Sequence, residues 1–153
     1  MNTNLKDVVN DVFPQMLESL TFMFADPDEG VSPPGMPHDA VLVRIAFSGE
    51  RNGAIEMAIG RSLGLEMAGN LLGLEPQADN AQKYGDDALR ELMNVTCGHI
   101  LTAMAGDRPV FNLTIPSISP MDGADWDALS RDESAAQFSI DGRPVRMRVQ
   151  LEA

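Results

Sequence analysis

The sequence predicts an α+β fold in which helices pack against an antiparallel-rich sheet. Two segments repeat apolar residues at three- and four-residue steps, the period of an amphipathic helix. Two other regions pair β-branched or alternating segments across short turns rich in Gly, Asn and Asp, which is typical of β-hairpins. The order is helix, strand pair, helices and then more strands. At 153 residues the chain is expected to be one domain, 1–153, large enough to bury its own core.

The first element is a helix, predicted from its apolar residues. Pro14 lies inside that pattern and predicts either a kink or a fresh start near Phe13. The proline-rich stretch 26–37 that follows is predicted to be a surface loop. The apolar residues of the helix are Leu5, Val8, Val9, Val12, Met16, Leu17, Leu20 and Phe24.

A hairpin and a short helix come next. Residues 41–47 are rich in β-branched side chains, and the turn 49–53 leads into a second strand over 54–59. A helix over about 61–72 is then stopped by Gly73.

A long helix, roughly 86–104, follows a polar linker over 75–83. At about 100° per residue, six residues fall on its apolar side. Cys97 lies on the margin of that side and is interpreted as a packed small hydrophobe rather than a reactive thiol. The six apolar-side residues are Leu89, Leu92, Met93, Thr96, Ile100 and Ala103.

The last third of the chain predicts more strands. Residues 110–115 read as a strand and 120–133 as an acidic, irregular loop. Strands over 136–140 and 145–151 flank Asp141-Gly142, a strong hairpin signal. Alternation in the final strand predicts one set of residues facing the core and another facing out. The inward set is Val145, Met147, Val149 and Leu151, and the outward set is Arg146, Arg148 and Gln150.

The polar side of the long helix carries the candidate functional residues. Asp87, Glu91 and Asn94 recur at i, i+4 and i+7, which stacks them on one face, and Gly98 continues the stripe. A glycine inside a helix costs about 1 kcal/mol relative to alanine, so its presence suggests that something approaches the helix closely there. The alternative is a plainly solvated acidic face, the commonest fate of such a stripe.

The pattern Asp-x-x-x-Glu-x-x-Asn, with a glycine four residues beyond the asparagine, resembles the active-site motif of the CheX/CheC/FliY chemotaxis phosphatases. A proline about twenty-two residues beyond the asparagine often accompanies that motif, and Pro116 lies near that distance from Asn94. The first helix carries Asp11, Gln15 and Glu18 where a second copy would need Asp, Glu and Asn. The single motif and the chain length are therefore most similar to CheX, and one active site per chain is expected.

The resemblance implies a protein phosphatase that dephosphorylates the phospho-aspartate of a CheY-like response regulator. Asn94 would position the attacking water, and Glu91 would pair with a lysine of the receiver domain. Asp87 and Gly98 would belong to the partner-binding surface. The phosphorylated partner would supply Mg²⁺, so no metal and no cofactor is expected on this chain. The resemblance also suggests a homodimer built through sheet strands.

An alternative reading keeps the same helix face without the catalysis. In it, the chain is a non-catalytic CheX-like domain that binds a receiver or another signalling partner.

Composition narrows the possible partners and compartment. A net charge of −12 and a pI of about 4.3 argue against nucleic acid and anionic membrane surfaces. Cys97 is the single cysteine, so no intrachain disulfide can form, and it has no zinc-ligand spacing with His99. The first residues lack a signal-peptide pattern, and no run approaches the length of a membrane span. A cytoplasmic protein is expected.

Overall fold

A computed structural model describes residues 4–27, 35–73 and 81–152. The elements are α1 (Leu5–Thr21), β1 (Asp26–Pro27), β2 (Ala40–Ser48), β3 (Gly53–Gly60), α2 (Arg61–Leu72), α3 (Ala81–Ala105), β4 (Asn112–Leu113), β5 (Ser117–Pro120), α4 (Gly123–Arg131), β6 (Ala136–Ile140) and β7 (Arg143–Leu151). Within the described residues the strands form a seven-stranded sheet in the order β1-β6-β7-β3-β2-β4, with β5 also paired to β2. Every strand pair there is antiparallel, and together with the helices this confirms the predicted α+β class.

The main core lies between one face of the sheet and the helices α1, α2 and α3. Phe13 of α1 is fully buried against Phe138 of β6, with ring centroids 5.1 Å apart. Such aromatic pairs add to the free energy gained by removing apolar surface from water. Pro14 lies inside one continuous 17-residue helix, so the predicted fresh start near Phe13 does not occur. The helix ends at Thr21, short of the predicted Phe24.

Helices α2 and α3 approach each other closely. A Cβ added at Gly64 of α2 would lie 2.6 Å from Cδ2 of Leu89, so a larger residue there would displace the Leu89 side chain. Helix α2 has its predicted bounds, and Gly73 ends it in the left-handed conformation with φ 67°. Helix α3 begins earlier than predicted, at Ala81, inside the stretch interpreted as a linker. The rest of that linker, 75–80, lies outside the described residues.

The predicted strand over 110–115 is mostly wrong. Only β4, Asn112–Leu113, pairs with β2 there, and β5 pairs with β2 again after the segment 114–116. Pro116 has no N–H to donate to a ladder, which explains the interruption. The predicted loop 26–37 includes the two-residue strand β1, and its residues 28–34 lie outside the described chain.

The predicted loop over 120–133 is wrong, because it contains helix α4. Asp122 caps this helix by accepting a 2.8 Å hydrogen bond from the backbone N–H of Asp125. Trp126 and Leu129 are buried in a second apolar cluster that includes Ala58 of β3. Because Ala58 lies between the main-core residues of β3, alternation puts this cluster on the other face of the sheet.

The same helix explains why one outward-facing residue of β7 is buried. Asp141 and Gly142 take φ values of 52° and 76° and join β6 to β7, as predicted. Arg146 points away from the main core but is fully buried rather than solvated. Its guanidinium carbon lies 5.2 Å from the Trp126 ring centroid, and its Nε donates to Oγ of Ser130 at 3.2 Å. Helix α4 covers a face that the sequence alone left open to water.

Candidate functional site

The predicted polar stripe lies on the outer side of α3. Asp87, Glu91 and Gly98 are exposed, and Asn94 is half-buried. Of the six residues predicted on the apolar side, five are buried and Ala103 is exposed. The amphipathic character of α3 is therefore confirmed, and the core contacts of the buried side fix which residues face outward. The five buried residues are Leu89, Leu92, Met93, Thr96 and Ile100.

Asn94 opens onto a groove between α1 and α3, with a volume of about 760 Å³. Both walls combine aliphatic with polar side chains. The α1 wall is formed by Val12, Gln15, Met16, Ser19 and Leu20, and the α3 wall by Asn94, Val95, Gly98, His99, Thr102 and Ala103.

Gly98 leaves the wall of this groove open beside Asn94. A Cβ added at Gly98 would meet no heavy atom within 4 Å, so packing inside the chain does not require glycine. The predicted close approach to Gly98 is thus not made by another part of the described chain. What glycine provides at this position is free space on the exposed side of the helix.

The two predicted catalytic side chains are available to a partner. Among the described residues, the Glu91 carboxylate and the Asn94 carboxamide are engaged in neither a hydrogen bond nor an ion pair. Asp87 differs, because its Oδ1 accepts a 3.1 Å hydrogen bond from Nη1 of Arg90. The stripe therefore contains one carboxylate with an internal cation and one without.

Arg90 is a residue that sequence reasoning missed. Besides its contact with Asp87, it donates from Nε to the carbonyl oxygen of Pro116 at 3.3 Å. Pro116 itself is buried, so the proline matched to the motif does lie beside the motif helix. The signal in the sequence was a basic residue three positions after Asp87, a spacing that favours an ion pair on a helix.

The other chemically interesting residues near α3 are separate from one another. Cys97 is fully buried, and desolvation raises the pKa of its thiol to about 11, which keeps it protonated and unreactive. His99 is exposed and lines the groove. Of the residues that a second motif would use on α1, Gln15 lines the groove and Glu18 is exposed.

In 4–27, 35–73 and 81–152, no three His, Cys, Asp or Glu side chains are grouped so that they could hold a metal ion. The helices of those same ranges include none with the length and apolarity needed to cross a membrane.

Comparison with known proteins identifies relatives of the whole arrangement. The family described as "Chemotaxis phosphatase CheX" matches residues 41–139, which include the motif helix and Pro116. Among curated protein sequences no match is found.

Solved structures share the fold across nearly the whole chain. The chemotaxis protein CheX from Desulfovibrio desulfuricans superposes with a TM-score of 0.67 at 16% identity, covering 98% of this chain and 100% of its own. A CheX from Borrelia burgdorferi, solved in a complex with CheY, BeF3 and Mg²⁺, gives 0.62 at 17% identity, with coverages of 99% and 100%. FliY from Thermotoga maritima gives 0.55 at 14% identity, with coverages of 99% and 91%. At these identities the likeness establishes the fold.

Proposed function

The chain belongs to the CheX family of chemotaxis phosphatases, and from that premise we propose that it hydrolyses the aspartyl phosphate of a CheY-like receiver domain by positioning the attacking water. The observation that carries the proposal is the placement of the Glu91 and Asn94 side chains. They lie one turn apart on an exposed helix face, at the spacing of the phosphatase motif, with no polar partner among the described residues.

The identity of the partner is supported by charge and by the relative from Borrelia burgdorferi. That relative was solved with CheY, BeF3 and Mg²⁺. Glu91 offers an exposed carboxylate that a lysine beside the phosphoryl group of the receiver can meet, which would orient the two proteins as they dock. Asp87 and Gly98, on the same stripe, belong to the docking surface in this proposal.

Asn94 has the chemistry needed to hold a water molecule. Its carboxamide oxygen can accept a hydrogen bond from the water, and its amide N–H can donate to an oxygen. Together these hydrogen bonds can fix both the position and the orientation of the attacking water. The water oxygen then attacks phosphorus, the bond between phosphorus and the receiver carboxylate breaks, and the water protons remain on the orthophosphate. Catalysis of this kind is mostly positioning, the part that a glutamine plays in GTPases.

The metal in this reaction belongs to the receiver. Its Mg²⁺ neutralises charge on the phosphoryl oxygens, and this chain contributes the water-positioning amide and the docking carboxylate. No cofactor of its own is needed for that role.

We also propose a homodimer built through sheet strands. Among the described strands, β4 lies at one edge of the sheet, and Val110 and Ile115 beside it are each 83% exposed. Apolar side chains along an open edge favour pairing with another strand. Sedimentation of the purified chain tests whether it is a dimer.

We propose the cytoplasm as the location of the protein, because receiver domains act there.

The decisive experiment follows orthophosphate release from a receiver domain phosphorylated by a small phosphodonor in Mg²⁺. Wild-type protein is expected to accelerate release. Asn94→Ala is expected to reduce the acceleration at least about a hundredfold, because misplacing a reacting group by about 1 Å already costs that much. Its affinity for a beryllofluoride-loaded receiver should stay within about twofold of wild type.

Asn70→Ala is the matched control, since Asn70 is an exposed asparagine inside α2. It should leave both phosphate release and affinity unchanged. Wild-type turnover by Asn94→Ala would contradict the role of the amide. Binding without any acceleration by the wild-type chain would favour the non-catalytic alternative.

A further inference from the structure

We infer that Arg90 is a positioning residue of the site, because it connects Asp87 of the motif helix to Pro116 by a hydrogen bond to each. The inference rests on the proposed phosphatase function. Its observation is one guanidinium with two acceptors: Nη1 donates to Oδ1 of Asp87 at 3.1 Å, and Nε donates to the carbonyl oxygen of Pro116 at 3.3 Å. The first and last residues of the motif are thus joined through a residue that the motif itself does not specify.

The Pro116 end of this contact lies where the sheet edge is interrupted. Upstream, Thr114 is anchored to β2, since its N–H donates to the carbonyl of Ala46 and its Oγ1 accepts from the N–H of Ala46, each at 3.0 Å. Downstream, pairing resumes at Ser117 opposite Arg44. Between them the Pro116 carbonyl oxygen accepts the hydrogen bond from Arg90 of α3. Arg90 therefore connects the interrupted part of the sheet edge to the helix that carries the candidate site.

Arg90 suits this role because of its shape and its place on the helix. It precedes Glu91 directly and lies one turn before Asn94, so it fixes the same turn from which the two proposed catalytic side chains project. Its planar fork can serve two acceptors at once, which the single ammonium of a lysine does with poorer geometry. Holding this turn against the sheet edge sets where Glu91 and Asn94 lie when a receiver docks.

Arg90 also makes the two carboxylates of the stripe differ. It pairs with Asp87, whose side chain is 71% exposed, and leaves Glu91 as the stripe carboxylate without a cation among the described residues. A lysine of the receiver then meets one unpaired carboxylate rather than two. Asp87 in this view acts on docking through Arg90.

A neighbouring ion pair provides a matched control. Arg61 of α2 lies 2.7 Å from Oδ1 of Asp86, one residue before Asp87, and its side chain is 27% exposed compared with 35% for Arg90. Both pairs join an arginine to an aspartate near the start of α3. The Arg61 pair joins α2 to α3, and among the described residues neither partner forms a hydrogen bond or ion pair with Pro116 or the stripe.

The experiment compares Arg90→Ala, Arg90→Lys and Arg61→Ala in phosphate release from the phosphorylated receiver and in affinity for the beryllofluoride-loaded receiver. Arg90→Ala should lower kcat about tenfold and weaken binding several-fold, and Arg90→Lys should restore little of either. Arg61→Ala should change both by less than twofold. Thermal unfolding midpoints of the two alanine variants should agree within a few degrees, which separates positioning from a loss of fold.

Equal effects of Arg90→Ala and Arg61→Ala, or full rescue by Arg90→Lys, would overturn the inference. A different result would contradict the proposed function: a wild-type chain that binds the beryllofluoride-loaded receiver without accelerating phosphate release. In that event the affinities alone decide the role of Arg90, by the same comparison with Arg61→Ala. A wild-type chain that neither binds nor hydrolyses would remove both proposals.

Discussion

Two clusters of polar side chains, one on the outer face of α3 and one on the far face of the sheet, differ in how fully the fold satisfies them. On the far face, Arg148 of β7 contacts Glu56 through Nη2 and Asp132 through Nη1, each at 2.7 Å. On α3, Glu91 and Asn94 have no polar partner among the described residues. The first cluster stabilises the chain, whereas the second leaves its polar groups for another molecule.

Burial separates the two clusters further. The Glu56 and Asp132 side chains are 11% and 26% exposed, so their ion pairs are partly shielded from water and salt. Glu91 is exposed, and its removal leaves no buried group unpaired. Charged residues of similar type are therefore expected to give opposite results when mutated.

The largest effect on stability is expected at Glu56. Glu56→Ala should lower the free energy of unfolding by about 2 kcal/mol, because a hydrogen-bonded charge partner of Arg148 is lost in a half-buried site. Phosphate release per folded molecule should stay within twofold. Urea unfolding and the release assay measure both quantities, and a variant of wild-type stability that lost activity would reverse the comparison.

The converse is expected at Glu91. Glu91→Ala should weaken binding to the beryllofluoride-loaded receiver about tenfold, about 1.4 kcal/mol, since one charge pair across the interface is lost. The unfolding free energy should change by less than about 0.5 kcal/mol, as for exposed substitutions elsewhere. Titration calorimetry at two salt concentrations measures the binding, and a smaller effect than that of Asp87→Ala would contradict the pairing.

Acid should weaken the far-face cluster through Asp132. Hydrogen bonds from the Ser134 hydroxyl and from Arg148 lower the pKa of Asp132 from 3.8 to about 2. A pKa lowered by folding means that the folded state binds its proton less readily than the unfolded state. The resulting stabilisation is complete above about pH 4 and is lost as the pH falls towards 2. The stability difference between wild type and Asp132→Asn should therefore shrink over that range, whereas a constant difference would contradict the assignment.

The smallest effect is expected on α1. Glu18 is exposed and is not one of the residues that line the groove, so Glu18→Ala should leave phosphate release within about twofold of wild type. The informative control is the double variant with Asn94→Ala. Residual activity in Asn94→Ala that disappeared only in the double variant would reveal a second site on α1.

The same comparison explains what the sequence could and could not predict. The stripe on α3 and the Asp141-Gly142 hairpin follow from local spacing and turn chemistry, and both are present in the structure. Helix α4 was missed because its burial depends on only a few apolar residues, chiefly Trp126 and Leu129, within a polar segment. The burial of Arg146 was missed in consequence, because alternation along a strand gives the direction of a side chain but not what covers it.

The candidate site shows the same limit. Glu91 and Asn94 could be selected from their spacing within one helix. The contact from Arg90 to Pro116 joins residues 26 positions apart across a break in the sheet edge. No local period encodes such a contact, since it depends on how the edge meets the helix after folding.

The burial of Cys97 gives the motif helix a built-in reporter of its own opening. The thiolate is the nucleophile that attacks thiol-modifying reagents, and a fully buried thiol with a pKa raised to about 11 forms almost no thiolate at neutral pH. Modification then waits for a fluctuation that lifts this part of α3 from the sheet. The sulfur lies on the same helix as Asn94, three residues further on. The rate at which Cys97 is labelled therefore measures how often the part of α3 that would bind a receiver opens. A bound receiver that holds the helix in place slows that rate, without a probe being added to the surface it occupies.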